Sequence, residues 1–343
     1  MKVSYMVFLT LFFVVSCTPV TRYPTVSREQ TYEEAEKQRE LVVTRTANTL
    51  SSLYKVSYRL CQANVDLCKS HSYDFGFVAL SLNDISTDFR GTWKRLFSVS
   101  EKPTILTVIP GSPAEQVGLK ISDVILEVHG LGEVHSAKRL RDYLSTQSTK
   151  PIRMKIKRGD LTFLIEMKPV KVCGIKTQLV FSEQVNAFTD GKSVYVTTAM
   201  MDFVKNEDEL ALVIGHEMAH CVMDHTTKRT VNVLLGAILG GVISAVTGIN
   251  VVDLGSQIGA QMFSQEFEAE ADYVGCYLAY RAGFKLEGAE ELWRRMATYY
   301  PGAINLMGST HPSTAARYLA IKKAIEEIKE KETKGLPLIP EKR

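Results

Sequence analysis

Two histidines four residues apart, with a glutamate beside the first, form the run His216-Glu217-Met218-Ala219-His220. On a helix, residues i and i+4 project from one face, one turn above the other. His216 and His220 can therefore hold one metal ion between their imidazoles. Glu217 lies about 100° round the helix from His216, near enough to take a proton from a water held there. Two neutral nitrogen ligands, an open coordination position and an adjacent carboxylate are what metal-assisted hydrolysis requires.

The run from Asp208 to Met223 reads as the helix that positions them. Leu210, Val213, Ile214, Ala219 and Val222 recur at helical spacing, and Glu207, Asp208 and Glu209 suit its N-terminal end. Two histidines do not complete such a site, so a third ligand is required. His225 is tempting, but the pattern with a third histidine needs Gly three and His six positions after His220, where Met223 and Thr226 stand. A second helical stretch, Gln265 to Gly275, is rich in carboxylates. Its pairs Glu266/Glu270 and Glu268/Asp272 are each four apart, so spacing leaves the choice open. A solvated acidic face is the bland alternative. Ala269, Ala271, Val274 and Gly275 leave little bulk, as in a helix packed closely on another.

These residues, with Thr310-His311-Pro312 and Arg317, resemble the zinc peptidases that include the CAAX prenyl protease, the HtpX membrane protease and periplasmic BepA. The resemblance covers roughly residues 175 to 325, and Asn186-Ala187-Phe188 with Asp190-Gly191 resembles the hairpin before the family's metal helix. It implies one zinc ion per chain, with Glu268 as third ligand and Asp272 orienting a ligand from behind. Glu217 is then the general base, and His311 the oxyanion partner, with Tyr273 as the alternative. Arg317 would anchor a carboxylate, Glu268 or Asp272. Ser313-Thr314 stands where the closest relatives often carry Leu-Pro.

Ahead of this stretch, Pro110-Gly-Ser-Pro-Ala to Gly118-Leu119 and Ile121 to Gly130 resemble the PDZ signature, with Ser122 and His129 where Gly and Asn are common. Ser136–Leu144 would be its groove helix. Phe75-Gly76-Phe77 would be the cradle whose backbone N–H groups hold a peptide's terminal carboxylate. A packing module that keeps the fold without a ligand is the alternative. Gly174 to Val196 reads as strands, one bordering the cleft.

Residues 1–17 read as an export signal: Lys2, an apolar run, then Val14-Val15-Ser16-Cys17, which resembles a lipobox with Cys17 as the lipidated residue. Thr18 rather than Asp after it favours the outer membrane. The resulting organisation is a tether over 18–30, a helix over 31–71 packing on the peptidase core, a PDZ-like domain over 72–170, a peptidase domain over 171–330, and a disordered tail over 331–343. The fold class is α+β, a mostly helical core with a small sheet plus a β-rich domain. The apolar run 231–248 is long enough to span a bilayer, but a crossing there would separate His216 and His220 from Glu268. It reads instead as a hairpin over the cleft. Cys68 and Cys173 flank the inserted domain, and a disulfide between them would close its base, leaving Cys61, Cys221 and Cys276 reduced.

Hydrophobic residues make up 45% and charged residues 23% of 343, with a net charge of +3, the composition of an ordinary globular protein. Nothing in it points to nucleic acid. The expectation is a lipid-anchored periplasmic zinc endopeptidase acting on unfolded or misassembled envelope proteins, with the envelope assembly machinery as a partner. A periplasmic assembly factor with a latent peptidase site is the alternative.

Overall fold

The computed structural model describes residues 24–225, 265–304 and 313–341. By internal contacts the chain divides into Met1–Gln38 and Arg39–Arg343, and every hydrophobic core cluster lies in the second unit. The fold is α+β.

Helix α1 (Arg28–Ala63) begins inside the segment read as a tether. Ser27 and Gln30 explain why: each side chain accepts the other's backbone N–H, at 3.1 and 3.0 Å, which is a capping box. The helix stops at Ala63, where the Asn64 amide donates to the Leu60 and Leu278 carbonyls, both at 2.9 Å. Cys68 therefore lies beyond the helix that carries Cys61. Strand β1 (His71–Asp74) pairs antiparallel with β8 (Val170–Cys173), and a Cys68–Cys173 disulfide, with Cα atoms 5.6 Å apart, closes this base. Cys61, Cys221 and Cys276 are free.

Between β1 and β8 lies a six-stranded antiparallel sheet with its own core. Strands β2 (Phe77–Leu80), β3 (Thr104–Val108), β4 (Val124–Val128), β6 (Ile152–Arg158) and β7 (Leu161–Met167) follow one another across it, and β5 (Gly132–Glu133) pairs with β4. Alternation along β6, in which Ile152, Met154 and Ile156 are buried between exposed Arg153 and Lys155, shows the one-sided burial that period-2 sequences encode. Helices α2 (Thr87–Phe97), α3 (Pro113–Gln116) and α4 (Ala137–Ser145) complete the module. The sequence gave no sign of α2, whose exposed charges hide the two residues, Thr92 and Trp93, that it buries.

The second core belongs to the helices. A three-stranded sheet in the order β10 (Ala187–Thr189), β11 (Ser193–Thr197), β9 (Lys176–Val180) leads through α5 (Thr198–Phe203) into α6 (Glu207–Val222). All five residues of β11 are buried, as a central strand requires. Helices α7 (Gln265–Arg281), α8 (Glu291–Tyr299) and α9 (Thr314–Thr333) pack round α6, which contacts α7 most extensively and also β10. The expected disordered tail over 331–343 is instead placed through Glu341. Lys331 Nζ donates to the Ile339 carbonyl at 3.0 Å, Arg281 to Leu338 at 3.2 Å, and the Glu341 N–H to the Tyr273 hydroxyl at 3.1 Å. Side chains from two helices thus hold a segment whose composition alone reads as solvated. Among the described residues, no helix is long and apolar enough to cross a membrane. The 231–248 run lies outside the described residues, as does Cys17.

Candidate metal centre

Helix α6 starts at Asn206, whose side chain accepts the Glu209 N–H at 2.9 Å, while Glu209 reaches back to the Lys205 N–H at 2.8 Å. That reciprocal cap, with three acidic residues in the first turn, fixes the start of the helix and so the phase of His216 and His220. Both histidines and Glu217 are buried.

Three donors converge between α6 and α7. His216 Nε2 and His220 Nε2 stand 3.2 Å apart. Glu268 on α7 places Oε2 3.4 Å from the first and Oε1 3.5 Å from the second. Ligand atoms each about 2.0–2.1 Å from a tetrahedral zinc stand roughly 3.3 Å from one another, so the residues present fit such an ion. Glu217 approaches the same point, with Oε1 4.0 Å from His216 Nε2. Of the two carboxylate pairs that spacing left open, Glu268/Asp272 faces the histidines. Glu270 turns elsewhere, to His225.

Asp272 accepts from His216 Nδ1 at 2.8 Å, which leaves Nε2 of that ring facing His220 and Glu268. Arg317 on α9 clasps the same carboxylate, Nε to Oδ2 at 2.8 Å and Nη2 to Oδ1 at 2.6 Å, and its guanidinium lies 3.5 Å over the Trp293 ring. Burial would raise Asp272, yet Arg317 and His216 hold it below the ordinary carboxylate value. Burial works against a charged His216, and so does Arg317, but Asp272 outweighs both and raises it to about 9. Burial takes His220 down to about 2, with His216 adding to the effect.

Cys221, next to His220 in sequence, points to Thr189 Oγ1 at 3.0 Å, and burial pushes its thiol up to about 12, so it offers no thiolate. Tyr273, the alternative oxyanion partner, donates to Glu327 at 2.6 Å on α9 instead. His311 lies outside the described residues. His225 is the residue that sequence reasoning set aside. It is no third ligand, but its ring meets His220 Nδ1 at 2.8 Å. The only signal was its presence five positions after His220, on a helix pattern that had already ended.

Residues 166–325 match Peptidase family M48, and residues 104–158 match the PDZ domain. The chain carries an M48 peptidase domain and a PDZ domain. The M48 match holds His216, Glu217, His220, Glu268, Asp272 and Arg317 together. Over 141 residues the chain is 30% identical to the mitochondrial metalloendopeptidase OMA1 of Saccharomyces cerevisiae, covering 38% of this chain and 41% of that one. It is 28% identical to the metalloprotease LoiP of Escherichia coli over 152 residues, 42% and 60% of the two chains. It is likewise 28% identical to the beta-barrel assembly-enhancing protease of Yersinia pestis over 155 residues, 40% and 32%. The chain thus spans 32% to 60% of the length of these relatives.

The PDZ match begins after Phe75-Gly76-Phe77, which the structure places far from the M48 ligands in sequence and in a different core. Gly76 has φ +79°, and a Cβ there would stand 2.1 Å from that of Ser112, so only glycine fits. The cradle amides already have acceptors. Asp74 Oδ1 takes the Gly76 N–H at 2.9 Å, its carboxylate also takes the Phe75 N–H, and the Tyr54 hydroxyl takes that of Phe77. Tyr54, from α1, donates to Asp74 Oδ1 at 2.5 Å. Burial raises the Asp74 carboxyl against these hydrogen bonds.

Proposed function

We propose that the chain is a zinc-dependent endopeptidase, with His216, His220 and Glu268 holding the metal. The observation that carries this reading is the convergence of two Nε2 atoms and one carboxylate at 3.2 to 3.5 Å, with Glu217 beside them. When bound, zinc would supply Lewis-acid polarisation of the scissile carbonyl and acidify a water. Glu217 takes the proton from that water and delivers it to the leaving amine. Asp272, tied down by Arg317, keeps His216 oriented with Nε2 inward. His311 enters from the sequence resemblance alone, as the oxyanion partner.

Strand β10 is an edge of its sheet and packs on α6, and its unpaired side would align an extended substrate backbone by strand addition. The names of LoiP and of the beta-barrel assembly-enhancing protease, together with the lipobox-like Val14 to Cys17, favour a cell-envelope setting with a lipid anchor at Cys17 and misassembled envelope proteins as substrates.

The test is a pair of measurements on purified protein. Glu217→Gln is expected to keep about one zinc per chain while losing about 10²–10⁴-fold of the hydrolysis of an unfolded protein. Wild-type hydrolysis should stop on chelation. Undiminished turnover by Glu217→Gln would refute the mechanism.

A further inference from the structure

The two metal-facing histidines are braced differently. His216 leans directly on Asp272. His220 Nδ1 meets a third imidazole, His225 Nδ1, at 2.8 Å, and His225 Nε2 in turn meets Glu270 Oε2 at 2.8 Å. His225 is wholly buried and stacks on Phe267, ring centroids 4.5 Å apart. The chain reaches this position by folding back immediately after α6. Asp224 takes a left-handed φ of +62°, and the His225 N–H then bonds to the His220 carbonyl at 2.9 Å.

Proton placement along this row is constrained. A His220 ring that offers its Nε2 lone pair must carry its proton on Nδ1. That proton points at His225 Nδ1, which must accept it. His225 then carries its own proton on Nε2, directed at the Glu270 carboxylate. Reversing the row would leave a bare His225 Nε2 facing a carboxylate, lone pair to lone pair. It would also put a proton on His220 Nε2, between His216 and Glu268. Any state of His225 with a proton on Nδ1 has the second consequence. The Glu270 carboxylate thus selects the tautomer of His220 from two side chains away.

We infer that His225 and Glu270 form a positioning relay that holds His220 in the tautomer able to ligate through Nε2. The inference rests on the metal centre proposed above and assigns work to two residues outside its ligand set. It also accounts for the second acidic pair on α7: Glu268 and Asp272 serve the metal and His216, and Glu270 serves His220.

Zinc affinity, read by competition with a chromophoric chelator on the metal-free full chain, separates the possibilities without any assay of hydrolysis. His225→Phe keeps the stack on Phe267 and removes both nitrogens. It should weaken zinc binding about 10–100-fold. Glu270→Gln, at a side chain 40% exposed and so of little consequence for folding, should weaken it less, because an amide accommodates either direction of the row. The double variant should bind no worse than His225→Phe, since Glu270 acts only through His225. Long-range ¹H–¹⁵N spectra of the metal-free wild type should show His220 protonated on Nδ1, and Glu270→Gln should show a mixture. Wild-type zinc affinity in both single variants, or an unmixed His220 tautomer in Glu270→Gln, would overturn the relay. A wild-type chain that binds no zinc, or that keeps full occupancy as Glu268→Ala, would instead overturn the metal centre itself.

Discussion

Gly215 and Gly275 meet where α6 crosses α7: a Cβ on Gly215 would stand 2.8 Å from the Gly275 carbonyl oxygen, and one on Gly275 2.8 Å from the His216 backbone nitrogen. The contact is backbone on backbone, so neither side can yield by turning a side chain. The crossing sets the gap between the helix that bears His216 and His220 and the helix that bears Glu268. Gly275→Ala should therefore cost about 1–3 kcal/mol of folding stability and weaken zinc binding at the same time. Denaturant titration of the metal-free variant beside its zinc affinity checks both. A loss of stability with unchanged zinc affinity would show that the crossing supports the fold without setting the ligand spacing.

Arg317 is the next point of strain if altered. It is buried, and its partner Asp272 is buried with it. Arg317→Met would strand that carboxylate, at a cost of about 3–5 kcal/mol. Arg317→Lys restores the charge but cannot grip both oxygens or lie over Trp293, so it should recover only part of the loss. Urea midpoints of the three proteins are the measurement.

The unequal histidines give zinc binding a defined pH dependence. Metal-free His216 holds its proton up to about pH 9, whereas His220, at about 2, is neutral throughout. Zinc must displace the first proton only, so below that pH each added unit should raise apparent affinity about tenfold, flattening above it. Chelator competition between pH 6 and 10 reads the slope. A flat profile from 6 to 8 would show that Asp272 does not hold His216 protonated.

A peptide's terminal carboxylate would have to displace Asp74 from the cradle amides. The intact chain is therefore expected to bind a C-terminal peptide and its amide-capped form alike, with no gain from the free carboxylate. Asp74→Ala vacates the Phe75 and Gly76 amides and should introduce a preference for the carboxylate form, measured by fluorescence anisotropy. Strong carboxylate preference in the wild type would mean that Asp74 swings aside.

The sequence exposed what one helix could hold by itself. His216, Glu217 and His220 stand within a single turn and a half, so spacing alone put them together. Glu268 could not be separated from Glu270 by spacing, because both head pairs four apart on one helix; only the facing of α7 toward α6 divides their tasks. His225 was out of reach for a related reason. Its position depends on a left-handed Asp224, a residue type that visits that region without announcing it. The end of the chain misled by composition: its Lys- and Glu-rich run is held by a few polar bonds to Tyr273, Arg281 and Lys331, which leave no periodic trace.

The neck formed by Cys68 and Cys173 has a consequence for how such a chain can change. Their Cα atoms are 5.6 Å apart although 105 positions separate them. To the helical core, all that lies between is one long excursion that returns to its point of departure. A protease nick anywhere along it would leave both pieces covalently joined. A module seated in this way can be lost, lengthened or exchanged for another by a single splice, with every residue of the core left where it was.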